Sequence, residues 1–181
     1  MDGLNVDKLS FDYYPSQYLR EPGKLCDDEF FRTLKPVVIG RMLQLCDQMR
    51  GYAISANQVG IPYQFFVIKR IPQFPKLIPQ LWCNPKIIAS SGSVLMKESC
   101  LSIPGLLVSL RRDESVTVSF KDGATGRDET LVCRGLLSRV VQHEIDHAVH
   151  GKLFTDRLTG LNKRDADKYL ARMAINTLPA I

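Results

Sequence analysis

The chain has 181 residues, 45% of them apolar and 24% charged, with a formal net charge of +5. Those values suit one globular domain, residues 1–181, able to bury a core, and no stretch nears the roughly 18 uninterrupted apolar residues of a membrane helix. The mild positive charge comes without a long Lys/Arg run, which leaves room for a transient contact with an acidic body such as a ribosome but not for sequence-specific nucleic-acid reading.

The N-terminus, MDGLNVDKLSFDYYP, lacks the apolar stretch of a secretory signal, and Asp2, Asp7 and Asp12 oppose an intact transit peptide. A cytoplasmic location is expected, or a mitochondrial or other organellar one if the chain is a trimmed precursor. From Asp27 to Met49 apolar residues recur at helical spacing (Phe30, Leu34, Val37, Val38, Met42, Leu45, Met49), with Pro36 expected to kink the helix or mark the first turn of its main part and Gly51 to stop it. Residues 64–68 and 86–90 read as short strands, separated by an irregular loop over 71–80 with prolines 72, 75 and 79. Residues 116–120 alternate and run into a turn at 121–126, the pattern of a hairpin. Gly135 opens a helix that carries the histidines, and a last helix is expected from Asn162, as its cap, to about Asn176. Helices flanking a block of strands, with no alternating βαβ order, predict an α+β fold. The five cysteines (26, 46, 83, 100, 133) are odd in number and show no C-x-x-C pair, which points to a reducing compartment without disulfides.

All three histidines fall in VVQHEIDHAVHGK, Val140 to Lys152, and His143 and His147 bracket Glu144 as H-E-x-x-H. Four residues apart on a helix, the two imidazoles stack on one face with Cβ atoms about 5–6 Å apart, close enough to hold one Zn²⁺ or Fe²⁺. Glu144 then points to the side of the pair, where it can take a proton from water. Asp146 lies elsewhere on the helix, as a solvated charge or a partner to a ligand. His150 shares the face, but two turns place it about 10 Å along the axis from His143, too far to share the ion. The third ligand is therefore sought elsewhere: Asp156, Asp165 or Asp167 downstream, as in a zinc peptidase, or upstream at Cys100, which sits between polar residues just before a turn, unlike Cys46 and Cys133 with their apolar surroundings.

Three ordered stretches, Gly51-Tyr-Ala-Ile-Ser-Ala-Asn-Gln58, Glu98-Ser-Cys-Leu-Ser102 and Gln142-His-Glu-Ile-Asp-His147, resemble the G-φ-G-φ-A-A-x-Q, E-G-C-L-S and Q-H-E-x-D-H motifs of the peptide deformylases. The resemblance runs from about Tyr14 to Leu158. It implies antiparallel sheets wrapped around a central helix bearing the histidines, and removal of the formyl group from N-formylmethionyl peptides or nascent chains. It implies Cys100, His143 and His147 as ligands of one divalent metal, Fe²⁺ first, with Zn²⁺, Ni²⁺ or Co²⁺ as substitutes. Glu144 is the expected acid/base, and Gln58 with the Leu101 backbone N–H the expected oxyanion donors. Glu98 is expected to meet Arg112, in preference to Arg111, and so fix the cysteine loop. Ala53, Ser99 and Tyr52 are the expected substrate contacts, with Met96, Leu136 and Val140 as walls of the methionine pocket. Four departures stand out: Ala53 and Ser99 replace glycines, Ser55 replaces an alanine, and one residue is added between His147 and Gly151. They predict retained hydrolysis with altered peptide preference or rate, against the alternative of a non-catalytic homologue that binds peptide or ribosome.

Overall fold

A computed structural model describes residues 9–33, 35–74 and 80–176, and the side chains at 33, 35–37 and 176 are outside that description. Asp2, Asp7, Leu34 and prolines 75 and 79 of the sequence reading lie outside the described residues. The chain order is α1 (Asp28–Thr33), α2 (Lys35–Gln48), β1 (Ala53–Ser55), β2 (Phe65–Ile68), β3 (Leu81–Ser91), β4 (Val94–Cys100), β5 (Ile103–Arg112), β6 (Ser115–Asp122), β7 (Asp128–Arg134), α3 (Gly135–His150) and α4 (Gly160–Asn176). Short 3₁₀ turns occupy Gln17–Arg20, Ala56–Val59 and Phe154–Arg157.

Helix breaks follow the backbone chemistry. The apolar run 27–49 is two helices, and Pro36 falls in the first turn of the second, where its missing N–H costs no hydrogen bond. The last helix begins at Gly160, not at Asn162: Gly160 has φ +59°, and the Lys163 N–H already bonds the Thr159 carbonyl. Asn162 thus lies inside the first turn rather than capping it. The expected hairpin is β6–β7, joined by a turn in which Asp122 accepts from the Ala124 N–H at 2.8 Å and from the Thr125 hydroxyl.

Five strands form one antiparallel sheet in the order β1-β2-β3-β6-β7, and β4 pairs with β5 as a separate hairpin. One face of the larger sheet packs on α3. Phe66, Trp82, Val116, Val118 and Phe120 meet Leu137, Val140, Val141 and Ile145 there, with the Trp82 and Phe120 rings stacked at 3.9 Å. The other face of β1 and β2 packs on α1 and α2 through Phe30, Met42, Cys46, Ile54 and Phe65. The β4–β5 hairpin closes the remaining side of α3, sharing a third core with Leu153, Phe154, Leu158 and Leu170 of α4. Every residue of α3 from Leu137 to Ala148 is buried. A helix covered on all sides is why a charged and imidazole-bearing sequence can lie in the interior: its polar side chains face one another rather than water.

Candidate metal centre

The E-x-C spacing of β4 puts Glu98 and Cys100 on the same face of the strand, buried, while Ser99 between them is exposed. A register shift between them leaves Cys100 paired with Ile103 across a tight turn, so the thiol sits at the hairpin tip over α3. There Cys100 Sγ lies 3.2 Å from His147 Nε2, which lies 3.2 Å from His143 Nε2, and the three donor atoms are all within 4.8 Å of one another. Imidazole donors on bonds of about 2.0–2.1 Å and a thiolate on one of about 2.3 Å stand roughly 3.3–3.6 Å apart around a tetrahedral ion, so one soft and two imidazole donors fit Fe²⁺ or Zn²⁺. Burial pushes the Cys100 thiol up, but the two imidazoles overcome it and bring it down to about 5, the thiolate a metal requires.

The partners of these donors fix their orientation. Burial opposes protonation of His143, and Cys100 together with Glu98 raises it well above its ordinary value. Glu98 Oε1 holds His143 Nδ1 at 2.7 Å, which leaves Nε2 facing the centre. Glu98 is itself gripped by Arg112, through Nε at 2.8 Å and Nη2 at 2.6 Å, and by Arg139 Nη1 at 2.6 Å. Burial works against the Glu98 carboxylate, and these partners nevertheless hold it well below its usual range. Arg112 also reaches Asp146 at 2.8 Å, and Asp146 takes a two-pronged grip from Arg157. Asp146 is therefore a buried, paired anion and not a solvated charge. Arg112, not the exposed Arg111, is the arginine that meets Glu98.

Glu144 is buried, and burial raises its pKa. The Ser55 hydroxyl donates to its carboxylate at 2.5 Å and lies 3.1 Å from its backbone carbonyl. The Ser55 N–H donates to Gln58 Oε1 at 3.0 Å, which turns Gln58 Nε2 toward Ser102 Oγ at 3.0 Å and Cys100 Sγ at 3.6 Å. Asn57 Nδ2 donates to the His147 carbonyl at 2.8 Å and so ties the 3₁₀ turn to α3.

One cavity of about 330 Å³ gathers Gln58, Glu98, Cys100, Leu101, His143 and Glu144 with Tyr52, Ala53, Ser99, Leu136 and Val140. Met96, expected in its wall, does not line the cavity: it pairs with Leu110 across the β4–β5 hairpin and is exposed. His150 ends α3 exposed, before Gly151 in a left-handed conformation, and takes no part in the cluster. Asp156 pairs with Arg20, and Asp165 and Asp167 pair with lysines on α4, so none of the downstream acids stands beside the imidazoles. Sequence reasoning missed Ser55 as a partner of Glu144, Arg139 as a second arginine on Glu98, and Asn57. Arg139 had a readable signal, a charge four residues before His143 on the same helix face.

The model of the polypeptide deformylase family matches residues 9–164. The chain belongs to the peptide deformylase family. It is 37% identical over 158 residues to the peptide deformylase of Thermosynechococcus vestitus, covering 86% of this chain and 81% of that one, and 33% identical over 171 residues to that of Chlorobium phaeobacteroides, covering 88% and 90%. Among solved structures, peptide deformylase 1B of Arabidopsis thaliana in complex with an inhibitor has a TM-score of 0.82 at 30% identity, covering 92% of this chain and 91% of that one. The enzyme of Thermus thermophilus has a TM-score of 0.78 at 29% identity, covering 92% and 97%. The α+β fold expected from the sequence is that of the deformylases, with α3 enclosed by the two sheets.

Proposed function

We propose that this chain is a metal-dependent hydrolase that removes the formyl group from N-formylmethionyl peptides and nascent chains. The observation that carries this reading is the convergence of Cys100 Sγ, His143 Nε2 and His147 Nε2 at the base of a cavity lined by Cys100, His143, Glu144 and Gln58. Cys100, His143 and His147 would hold a divalent cation, Fe²⁺ first and Zn²⁺, Ni²⁺ or Co²⁺ as substitutes, which supplies Lewis acidity and lowers the pKa of water. Glu144 accepts the proton from the attacking water and returns it to the leaving amine. Its raised pKa suits a group that must keep that proton between the two transfers. Gln58 Nε2 and the Leu101 backbone N–H donate to the formyl oxygen as negative charge collects on it. Leu136 and Val140 receive the methionine side chain, and Ala53, Ser99 and Tyr52 flank the peptide. Glu98 and Arg112 act through His143, by fixing its ring.

Curated relatives named peptide deformylase support the reaction, and no described helix is long and apolar enough to cross a membrane. The reading places the protein in the cytoplasm or an organelle, in transient contact with the ribosome. The test is anaerobic loading with Fe²⁺ or Ni²⁺ and assay on formyl-Met-Ala-Ser. Turnover lost in Glu144→Ala with metal retained, and metal lost in Cys100→Ala, is the expected pair of results. A loaded wild-type protein with no turnover overturns the reaction, and full metal occupancy in Cys100→Ala overturns the ligand set.

A further inference from the structure

We propose that the mouth of the cavity selects formylated peptides with aspartate or glutamate at the positions just after formyl-methionine. The proposal rests on the deformylase reading of the same site. Of the residues lining the cavity, four are exposed: Arg50, Tyr52, Lys97 and Ser99. All four end in hydrogen-bond donors, two are cations, and none is an acid. The two carboxylates in the lining are buried and already engaged, Glu98 by Arg112, Arg139 and His143, and Glu144 by Ser55. They leave the positive charge at the mouth uncancelled. Arg50 and Lys97 form no ion pair among the described residues, unlike neighbouring Lys69, which pairs with Asp47.

The cations come from two separate walls. Arg50 follows α2, and its backbone is fixed there, its N–H bonded to the Asp47 carbonyl at 3.0 Å and the next N–H, of Gly51, to the Cys46 carbonyl at 2.9 Å. Two residues on, the Tyr52 carbonyl accepts from the Lys69 N–H at 2.9 Å. Lys97 sits on β4, paired across the hairpin with Ser109. Both therefore stand on ordered backbone beside the cavity rather than on free loops. A peptide whose formyl group lies against Glu144 and whose first side chain enters between Leu136 and Val140 must leave past these residues. A carboxylate there gains two charge partners and donors from Tyr52 and Ser99, whereas a lysine or arginine meets like charge.

The experiment uses the metal-loaded protein and C-terminally amidated peptides, formyl-Met-Asp-Ser, formyl-Met-Ala-Ser and formyl-Met-Lys-Ser, so that a terminal carboxylate cannot stand in for a side chain. At low salt kcat/KM should favour the aspartyl over the lysyl peptide by roughly tenfold, shrinking to about twofold near 0.5 M salt as the exposed charges are screened. Arg50→Ser with Lys97→Ser should bring the ratio close to one, and Arg50→Glu with Lys97→Glu should invert it. The same order is expected in the Kd of labelled peptides on metal-loaded Glu144→Ala, a readout that does not need turnover. Equal treatment of the acidic and basic peptides by the wild type, or a preference that survives charge reversal, overturns the proposal. Absence of turnover on every peptide overturns the deformylase reading instead, while the binding series still decides the charge preference.

Discussion

Ser55 links the two side chains on which the proposed chemistry depends. Its hydroxyl holds the Glu144 carboxylate at 2.5 Å and its backbone N–H holds Gln58 Oε1 at 3.0 Å, from a position with no exposed surface. A hydrogen bond to a buried charged group contributes about 1.5–3 kcal/mol, and each 1.4 kcal/mol is a factor of ten. Ser55→Ala removes the hydroxyl but keeps the backbone bond to Gln58. Steady-state kinetics of the metal-loaded variant should show kcat down by about tenfold, with KM within about twofold. Ser55→Thr, which keeps the hydroxyl, should recover part of the loss, and an unchanged kcat in Ser55→Ala would remove Ser55 from the account. The role was not legible in the sequence, where Ser55 stands 89 positions from Glu144 in a different motif and reads as a small-residue replacement of alanine. His143, His147 and Glu144 were legible because helical spacing alone places them together. Cys100 lay between: its polar surroundings marked it, but only the motif order joined it to the histidines.

At the scale of elements, the β4–β5 hairpin is held on α3 by charge as well as by apolar packing. Glu98 of β4, Arg112 of β5, and Arg139 and Asp146 of α3 form one buried chain, with Arg157 completing it from the 3₁₀ turn after α3. Removing one partner of such a network leaves an unpaired buried charge, at a cost of about 3–5 kcal/mol. Arg112→Ala should therefore lower Tm by on the order of 10 °C in a chain of this length, measured by thermal unfolding at pH 7. The network also sets a pH dependence. The folded-state pKa of Glu98 is depressed below its ordinary 4.5, so its contribution is fully present above that value and is lost as pH falls below it. Unfolding scans should show a steep fall in Tm below about pH 4.5, and a shallower one in Glu98→Gln, which starts lower at pH 7. The hairpin itself was only partly legible. The alternation of β6 and its polar turn announced one hairpin, whereas β4 and β5 carry charges on their inner face, and a buried charge pattern reads as a solvated surface until its partners are known. The displaced start of α4 has a similar cause: Asn162 is a good cap by chemistry, but Gly160 takes the left-handed conformation two residues earlier and the helix starts from there.

For the molecule as a whole, the Cys100–His143–His147 cluster lies where the two sheets and the central helix meet. Cys100 comes from the hairpin, and His143 and His147 come from α3, so an ion bound by all three cross-links elements 43 to 47 positions apart. An ion that binds the folded chain and not the unfolded one stabilises it by RT ln(1 + [L]/Kd), about 4 kcal/mol at a thousandfold excess over Kd. At about 2–4 °C per kcal/mol, chelation should lower Tm by roughly 8–16 °C. Readdition of Fe²⁺ or Ni²⁺ under anaerobic conditions should restore it. Cys100→Ala should start from the lower Tm and show little response to chelator, because a donor pair without the thiolate binds the ion far more weakly. His150→Ala should keep the full metal-dependent shift, since His150 stands exposed at the end of α3 outside the cluster. A chelator-insensitive wild-type Tm would instead mean that the hairpin is seated on α3 by the ion-pair network alone, with Glu98 and its arginines holding the donors in place whether or not the ion is bound.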